Sequence, residues 1–129
     1  MSKRIRVILL ISNLSGRWDY HRDLGPTRVE YPRQIPCVPL GHVVMLNVED
    51  NVHVFHMICA HSRRSRNSLH PIDYTSLLFC IEDVNDLLEK FDPELVELVM
   101  PERTCRFHGA HLDRVKKMLK RLNHHITFV

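Results

Sequence analysis

A chain of 129 residues is one ordinary domain, long enough to bury roughly two thirds of the surface that its unfolded form exposes. With 44% hydrophobic and 26% charged residues, the composition excludes a disordered or low-complexity protein. A net charge of +3 and ten histidines make it mildly basic, without the concentrated stripe of a dedicated nucleic-acid binder.

Arg4 to Ile11 (RIRVILLI) starts as an alternation and becomes a continuous apolar run, the pattern of a strand entering a sheet covered on both faces. Its apolar part, Val7 to Ile11, is too short to span a bilayer and has no small-residue cleavage site beside it, so an intracellular protein, cytoplasmic or nuclear, is expected. The next stretch, SNLSGRWDYHRDLGP, carries Asn13, Ser15, Gly16, Gly25 and Pro26 and predicts a loop with room for one helical turn. Pro32, Pro36 and Pro39 exclude a long regular element between Tyr31 and Leu40.

Two strands joined by a hairpin follow, His42 to Val48 and Val52 to Ile58, with Glu49, Asp50 and Asn51 as turn formers. Residues 59 to 71 are polar and basic. Pro71 and Asp73 then open an amphipathic helix reaching about Lys90, with Leu77, Leu78, Ile81, Val84, Leu87 and Leu88 on its apolar face. Asp92 and Pro93 break the chain before a strand from Leu95 to Met100, which runs into a tight polar crossover. A second helix is predicted over His111 to Leu122 and a final strand over His124 to Val129. The order β, β, α, β, α, β from the hairpin onward predicts an α/β fold, a largely parallel or mixed central sheet with helices returning in right-handed crossovers.

Cys37, Cys59, Cys80 and Cys105 are widely spaced and three lie in or beside apolar segments, which predicts reduced, packed thiols. Cys105, His108 and His111 sit at close spacing, with His124 or Cys59 as a conceivable fourth zinc ligand. One irregular cluster is not the two ligand pairs of a structural site, so no metal is expected and these histidines are read as facing water. His53 and His56 point to opposite sides of one strand and cannot chelate together. A nucleophilic pair of Cys105 and His108 lacks a third, orienting group. Trp18 and Tyr20, in the long loop, either anchor a protein partner or plug the end of the sheet. Arg63, Arg64 and Arg66, with Arg114, Lys116, Lys117, Lys120 and Arg121 on the second helix, are read first as solvated charge and second as a nucleic-acid surface.

The stretches LGHVVMLNVEDNVHVFHMI, Tyr74-Thr75-Ser76-Leu77, LVELVMPERTC and LDRVKKML leading to HHITFV, together covering most of residues 25 to 129, resemble the macro domain. This is the ADP-ribose-binding fold, and the similarity is greatest to the compact branch that contains terminal ADP-ribose protein glycohydrolase. The resemblance implies a single macro-like domain over residues 1–129, a three-layer fold with a mixed central sheet and flanking helices. In such domains Met-Pro is followed by isoleucine, glycine, cysteine, glycine, leucine and aspartate, whose backbone wraps the distal phosphate and ribose. Here those positions are Arg103, Thr104, Cys105, Arg106, Phe107 and His108. Thr104 and Arg106 would bring side chains to a backbone cradle and strain it at positive φ, so Thr104 to His108 is expected to be a degenerate ligand loop. The branch's catalytic aspartate falls at His108, and Ile35 to Leu40 contains no lysine where its nucleophile would stand. Of the glycine-rich loop after the first long strand, only Asn13 and Gly16 are similar, and the family's extra amino-terminal strand is not matched.

These residues lead to the expectation of a macro-like domain that is not an enzyme, holds no cofactor, and acts as a protein-interaction module with ADP-ribose hydrolase activity lost. Two alternatives stand beside it. One is a weak ADP-ribose or nucleotide reader in which Arg106 supplies a charge-assisted phosphate contact; the other is an RNA-binding module using loop 61–66 and helix 111–122. No membrane partner is expected.

Overall fold

The computed structural model describes residues 4–24, 31–61 and 72–129. Arg63, Arg64 and Arg66, and with them the expected basic loop, lie outside the described residues.

The first apolar run forms β1 (Ile5–Asn13). It pairs in parallel with β3 (Val52–Ala60) on one side and with β4 (Val96–Met100) on the other. The hairpin is present: β2 (His42–Glu49) runs antiparallel to β3 and matches Val43 to Met57 and Met45 to Phe55. Asn51, the turn residue before β3, takes φ 63°, a left-handed conformation that asparagine tolerates better than most residues. β5 (Ile126–Phe128) adds in parallel to β4 and completes a mixed sheet of order β2-β3-β1-β4-β5.

Strand periodicity sorts the core into two halves. Val7, Leu9 and Ile11 of β1 join Phe55, Met57, Leu98 and Met100 on one face, under α2 (Tyr74–Leu88) and α4 (Leu112–Leu119). Ile8 and Leu10 join Val54 and Ile58 on the opposite face, where Trp18, Tyr20 and Ile35 cover the sheet. That second cover is formed by α1 (Tyr20–Leu24) and the proline-rich segment, in which no long regular element occurs. Trp18 is 8% exposed and Tyr20 2%, so the expectation of an exposed aromatic anchor is overturned and the plug reading holds. The physical reason is the apolar face of β1 and β3, which would otherwise meet water.

α2 starts one residue after Asp73, whose side chain accepts hydrogen bonds from the backbone N–H of Thr75 at 3.0 Å and Ser76 at 3.2 Å. Of its expected apolar face Leu77, Ile81, Val84 and Leu88 are buried, with Cys80 beside them, whereas Leu78 and Leu87 are half-buried at its margins. Cys59, Cys80 and Cys105 are buried free thiols and Cys37 an exposed one. No helix among the described residues is long and apolar enough to cross a membrane.

The crossover after β4 departs from expectation. It contains a helix, α3 (Glu102–Phe107), closed by Gly109 at φ 68° with Ala110 N–H donating to the Cys105 carbonyl at 2.9 Å and Gly109 N–H to that of Arg106 at 3.2 Å. This is a Schellman stop, for which glycine is the favoured residue.

Removing the α2 cap by Asp73→Ala is expected to cost about 1 kcal/mol in urea unfolding, because two first-turn N–H groups lose their acceptor.

Candidate functional site

β1 lies at the centre of the sheet, with the chain leaving it toward β2 and β3 on one side and returning from α2 into β4 on the other. In open α/β sheets such a reversal of strand order leaves a crevice at the carboxyl end of the strands. The segment following β1 is built around it. Asn13 Oδ1 accepts from Ser15 N–H at 2.9 Å and from Ser15 Oγ at 2.5 Å, and Gly16 N–H donates to the Asn13 carbonyl at 3.1 Å. Gly16, at φ 70°, then brings the chain against the proline-rich segment so closely that a Cβ there would stand 2.6 Å from the Ile35 carbonyl oxygen. Ile35 N–H donates to the Gly16 carbonyl at 2.8 Å, Trp18 N–H to that of Arg33 at 3.0 Å, and Trp18 Nε1 to that of Pro32 at 2.7 Å.

This clamp and α1 wall a cavity of about 630 Å³. Arg17, Arg22 and Arg33 supply its positive charge and Asp19 its carboxylate, while Trp18 and Phe107 are its aromatic surfaces. The Arg22 guanidinium lies over the Phe107 ring at 4.0 Å from the centroid. The α1 and α3 segments are further tied by Arg103 Nη1 donating to the Arg22 carbonyl at 2.9 Å. A narrow recess of about 20 Å³, which reaches Ser12, Asp23, Thr104 and His108, shares Arg17, Trp18, Arg22 and Phe107 with this cavity.

Of the expected degenerate loop, Thr104 to Phe107 are helical and His108 is the residue that ends the helix, so Thr104 and Arg106 do not take the positive φ that a glycine cradle would demand of them. Thr104 is buried and closes the end of β1: its Oγ1 accepts from Ile11 N–H at 2.9 Å and donates to the Ile11 carbonyl at 3.1 Å. His108, read as facing water, is buried instead, with Nδ1 donating to the Thr104 carbonyl at 2.9 Å; the carbonyl partner requires the proton on that nitrogen. Cys105 is fully buried, and burial first, with the Glu102 carboxylate second, pushes its thiol up to about 11 against the pull of Lys116. A thiol so protonated is no nucleophile at neutral pH. Arg106 turns outward to Glu102 at 3.8 Å, four residues back in the helix, and does not line the cavity. Phe107 alone of the five reaches it. Among the described residues no group of three or more His, Cys, Asp or Glu converges as metal ligands.

Two features escaped the sequence reading. Arg17, Arg22 and Arg33 had a signal, three arginines in the segment that leaves the carboxyl end of a central strand, but they are separated by up to 16 positions along the chain (33 − 17). The second is a buried pair: His56 Nδ1 and Ser12 Oγ are 2.9 Å apart, and the His56 ring meets Trp18 edge to face at 4.6 Å. Burial lowers the His56 pKa to about 3, so the imidazole is neutral and too weak a base to activate Ser12. His53 faces the other side of the sheet, against Phe91, as the strand period requires.

Thr104→Val keeps the shape but leaves both Ile11 backbone groups unpaired; a loss of about 1–3 kcal/mol in urea unfolding is expected, with Thr104→Ser retaining most of the stability. Asp23 supplies a pH test. Burial raises its carboxyl from 3.8 to about 6, opposed by Arg22 and Arg103 and assisted by Asp19. The native state thus holds that proton more tightly than the unfolded chain, and the stability linked to it is lost as pH rises from about 4 through 6. Asp23→Asn is expected to be more stable than the parent at pH 7.5, by up to about 2–3 kcal/mol, with the difference shrinking toward pH 4.

No protein-family model and no curated protein matches the chain. Solved structures do. A protein from Bacteroides thetaiotaomicron superposes with a TM-score of 0.67 at 18% identity, covering 99% of this chain and 90% of that one. A protein of unknown function from the same organism gives 0.69 at 18% identity, over 99% and 88%. A macrodomain protein from Streptomyces coelicolor gives 0.62 at 20% identity, over 99% and 89%. The likeness is one of fold: this chain is an α/β domain of macrodomain-like architecture, a mixed five-stranded sheet with flanking helices.

Proposed function

We propose that the chain is a non-catalytic reader of a phosphate-bearing ligand of the ADP-ribose or nucleotide class, bound in the cavity at the carboxyl end of β1. The observation that carries this reading is the set of three guanidinium groups, Arg17, Arg22 and Arg33, around a cavity of about 630 Å³ with aromatic walls. Guanidinium forks match phosphate oxygens in geometry as well as charge; with Arg22 already beside the Asp23 carboxylate at 3.9 Å, Arg17 and Arg33 against the Asp19 carboxylate still favour an anion. Phe107, 40% exposed, offers an aromatic surface to a base or sugar.

Loss of catalysis is the second half of the proposal, and it rests on the chemistry of the lining. Ser15 Oγ is held by the Asn13 carboxamide, which is not a base. The Cys105 thiol is buried and protonated, and His108 stands where the resemblance to the glycohydrolase branch would put an aspartate. On this reading the branch's pocket is kept in a shifted form. Phosphate contacts move from a glycine-rich backbone to arginine side chains on the opposite wall. The earlier expectation of an interaction module loses its anchor with the burial of Trp18 and Tyr20.

Titration calorimetry with ADP-ribose is expected to show binding that weakens about 10–100-fold in Arg17→Ala and in Arg33→Ala, the loss of one charged hydrogen-bonding group each. Arg106→Ala should leave the affinity unchanged. Absence of binding up to millimolar ligand, or indifference to both cavity arginines, overturns the reading; release of ADP-ribose from a modified protein overturns its non-catalytic half.

A further inference from the structure

A second surface lies away from this cavity, along the free edge of the sheet. Among the described residues β5 pairs with β4 only. Val129, the next residue, uses both its backbone groups on the β4 side: its N–H donates to the Met100 carbonyl at 3.0 Å and its carbonyl accepts from Glu102 N–H at 2.7 Å. Because backbone groups alternate along a strand, Thr127 faces β4 as Val129 does, and the N–H and C=O groups of Ile126 and Phe128 face outward. Beside this edge a groove of about 430 Å³ runs between β5 and the last turns of α4, floored by Leu119, Leu122, Ile126 and Phe128. Its remaining lining is Lys116, Lys120, His124 and His125, with no acidic side chain among the described lining residues. Lys116 is engaged by Glu102 at 3.1 Å, whereas both ring nitrogens of His124 are enclosed and have no partner among the described residues.

We propose that this edge docks an extended acidic peptide of a partner protein, which adds to β5 as a further strand and directs alternate carboxylates toward the exposed Lys120 and His125. Open strand edges template such addition; backbone hydrogen bonds supply affinity and the groove supplies selection. Charge decides the occupant. A second copy pairing edge to edge would bring the same lysines together, like against like, whereas an acidic strand neutralises them. The surface is independent of the ADP-ribose reading, since none of its residues lines that cavity.

The test uses a blocked octapeptide of alternating glutamate and valine, a lysine–valine counterpart and an oligouridine, titrated into isotopically labelled protein and followed by NMR. The glutamate peptide is expected to bind, with shift changes and slowed amide exchange at Ile126 and Phe128, and the lysine peptide to bind at least tenfold more weakly. Lys120→Glu, an exposed change, should weaken binding at least fivefold. Phe128→Pro, which removes an outward N–H, should abolish it, while Phe128→Leu keeps it within about threefold. Equal binding of the two peptides, shifts mapped to β2 instead of β5, indifference to Lys120→Glu, preferential binding of the oligouridine, or self-association through β5 that excludes the peptide each overturns the proposal. ADP-ribose affinity should be the same with and without the peptide.

Discussion

The constraint on which the rest of this structure depends is the enclosure of β1 from Val7 to its end at Asn13. It is bonded along both edges, to β3 and β4, and covered on both faces, by α2 and α4 on one and by Trp18, Tyr20 and Ile35 on the other. A strand enclosed in this way exposes its backbone only where it ends, and there each polar group needs a partner. Thr104 supplies one at Ile11, Ala60 another by accepting from Leu14 N–H at 3.1 Å, and the Asn13 carboxamide organises the turn that follows. The cavity is a consequence of this closure: the chain that leaves β1 must turn away, and its side chains become the walls.

The position of positive charge follows from what happens on either side of that end. On the β4 side, a run of residues with helix-compatible backbone becomes α3, and the side chain of Thr104 occupies the place at the strand end. That wall presents a hydroxyl already committed to Ile11, a buried histidine and a protonated thiol, none of them suited to hold an anion. On the other side, Gly16 allows the loop to lock against the proline-rich segment, and the exposed Arg17 and Arg33 and the half-buried Arg22 flank the result. The molecule is therefore asymmetric about β1, with structural hydrogen bonding on one wall and charge on the other.

The order of elements, α3 apart, was legible in the chain because each carries a local signal. Continuous apolarity marked β1, alternation marked the hairpin, the Asp73 cap and the Leu77-Ile81-Val84-Leu88 stripe marked α2, and the macro-domain resemblance of the later strands agrees with the fold shared with a solved macrodomain protein. α3 was missed although Gly109 carried its stop, because six residues are too few to show a helical period. His108 was read as solvated for a related cause: a histidine in a short polar stretch gives no sign of which way it faces until the helix exists.

The sequence alone determined the class of fold, the two-faced core and the absence of glycines at Thr104 and Arg106, since these depend on residue type and on periods of a few residues. Only the tertiary structure decided that Trp18 and Tyr20 are buried, that Thr104 caps Ile11 across 93 positions, and that Arg17, Arg22 and Arg33 meet around one cavity. Those outcomes depend on which distant segment arrives at the end of β1. That is set by the summed burial and hydrogen bonding of the whole sheet, and no short stretch of the chain records it.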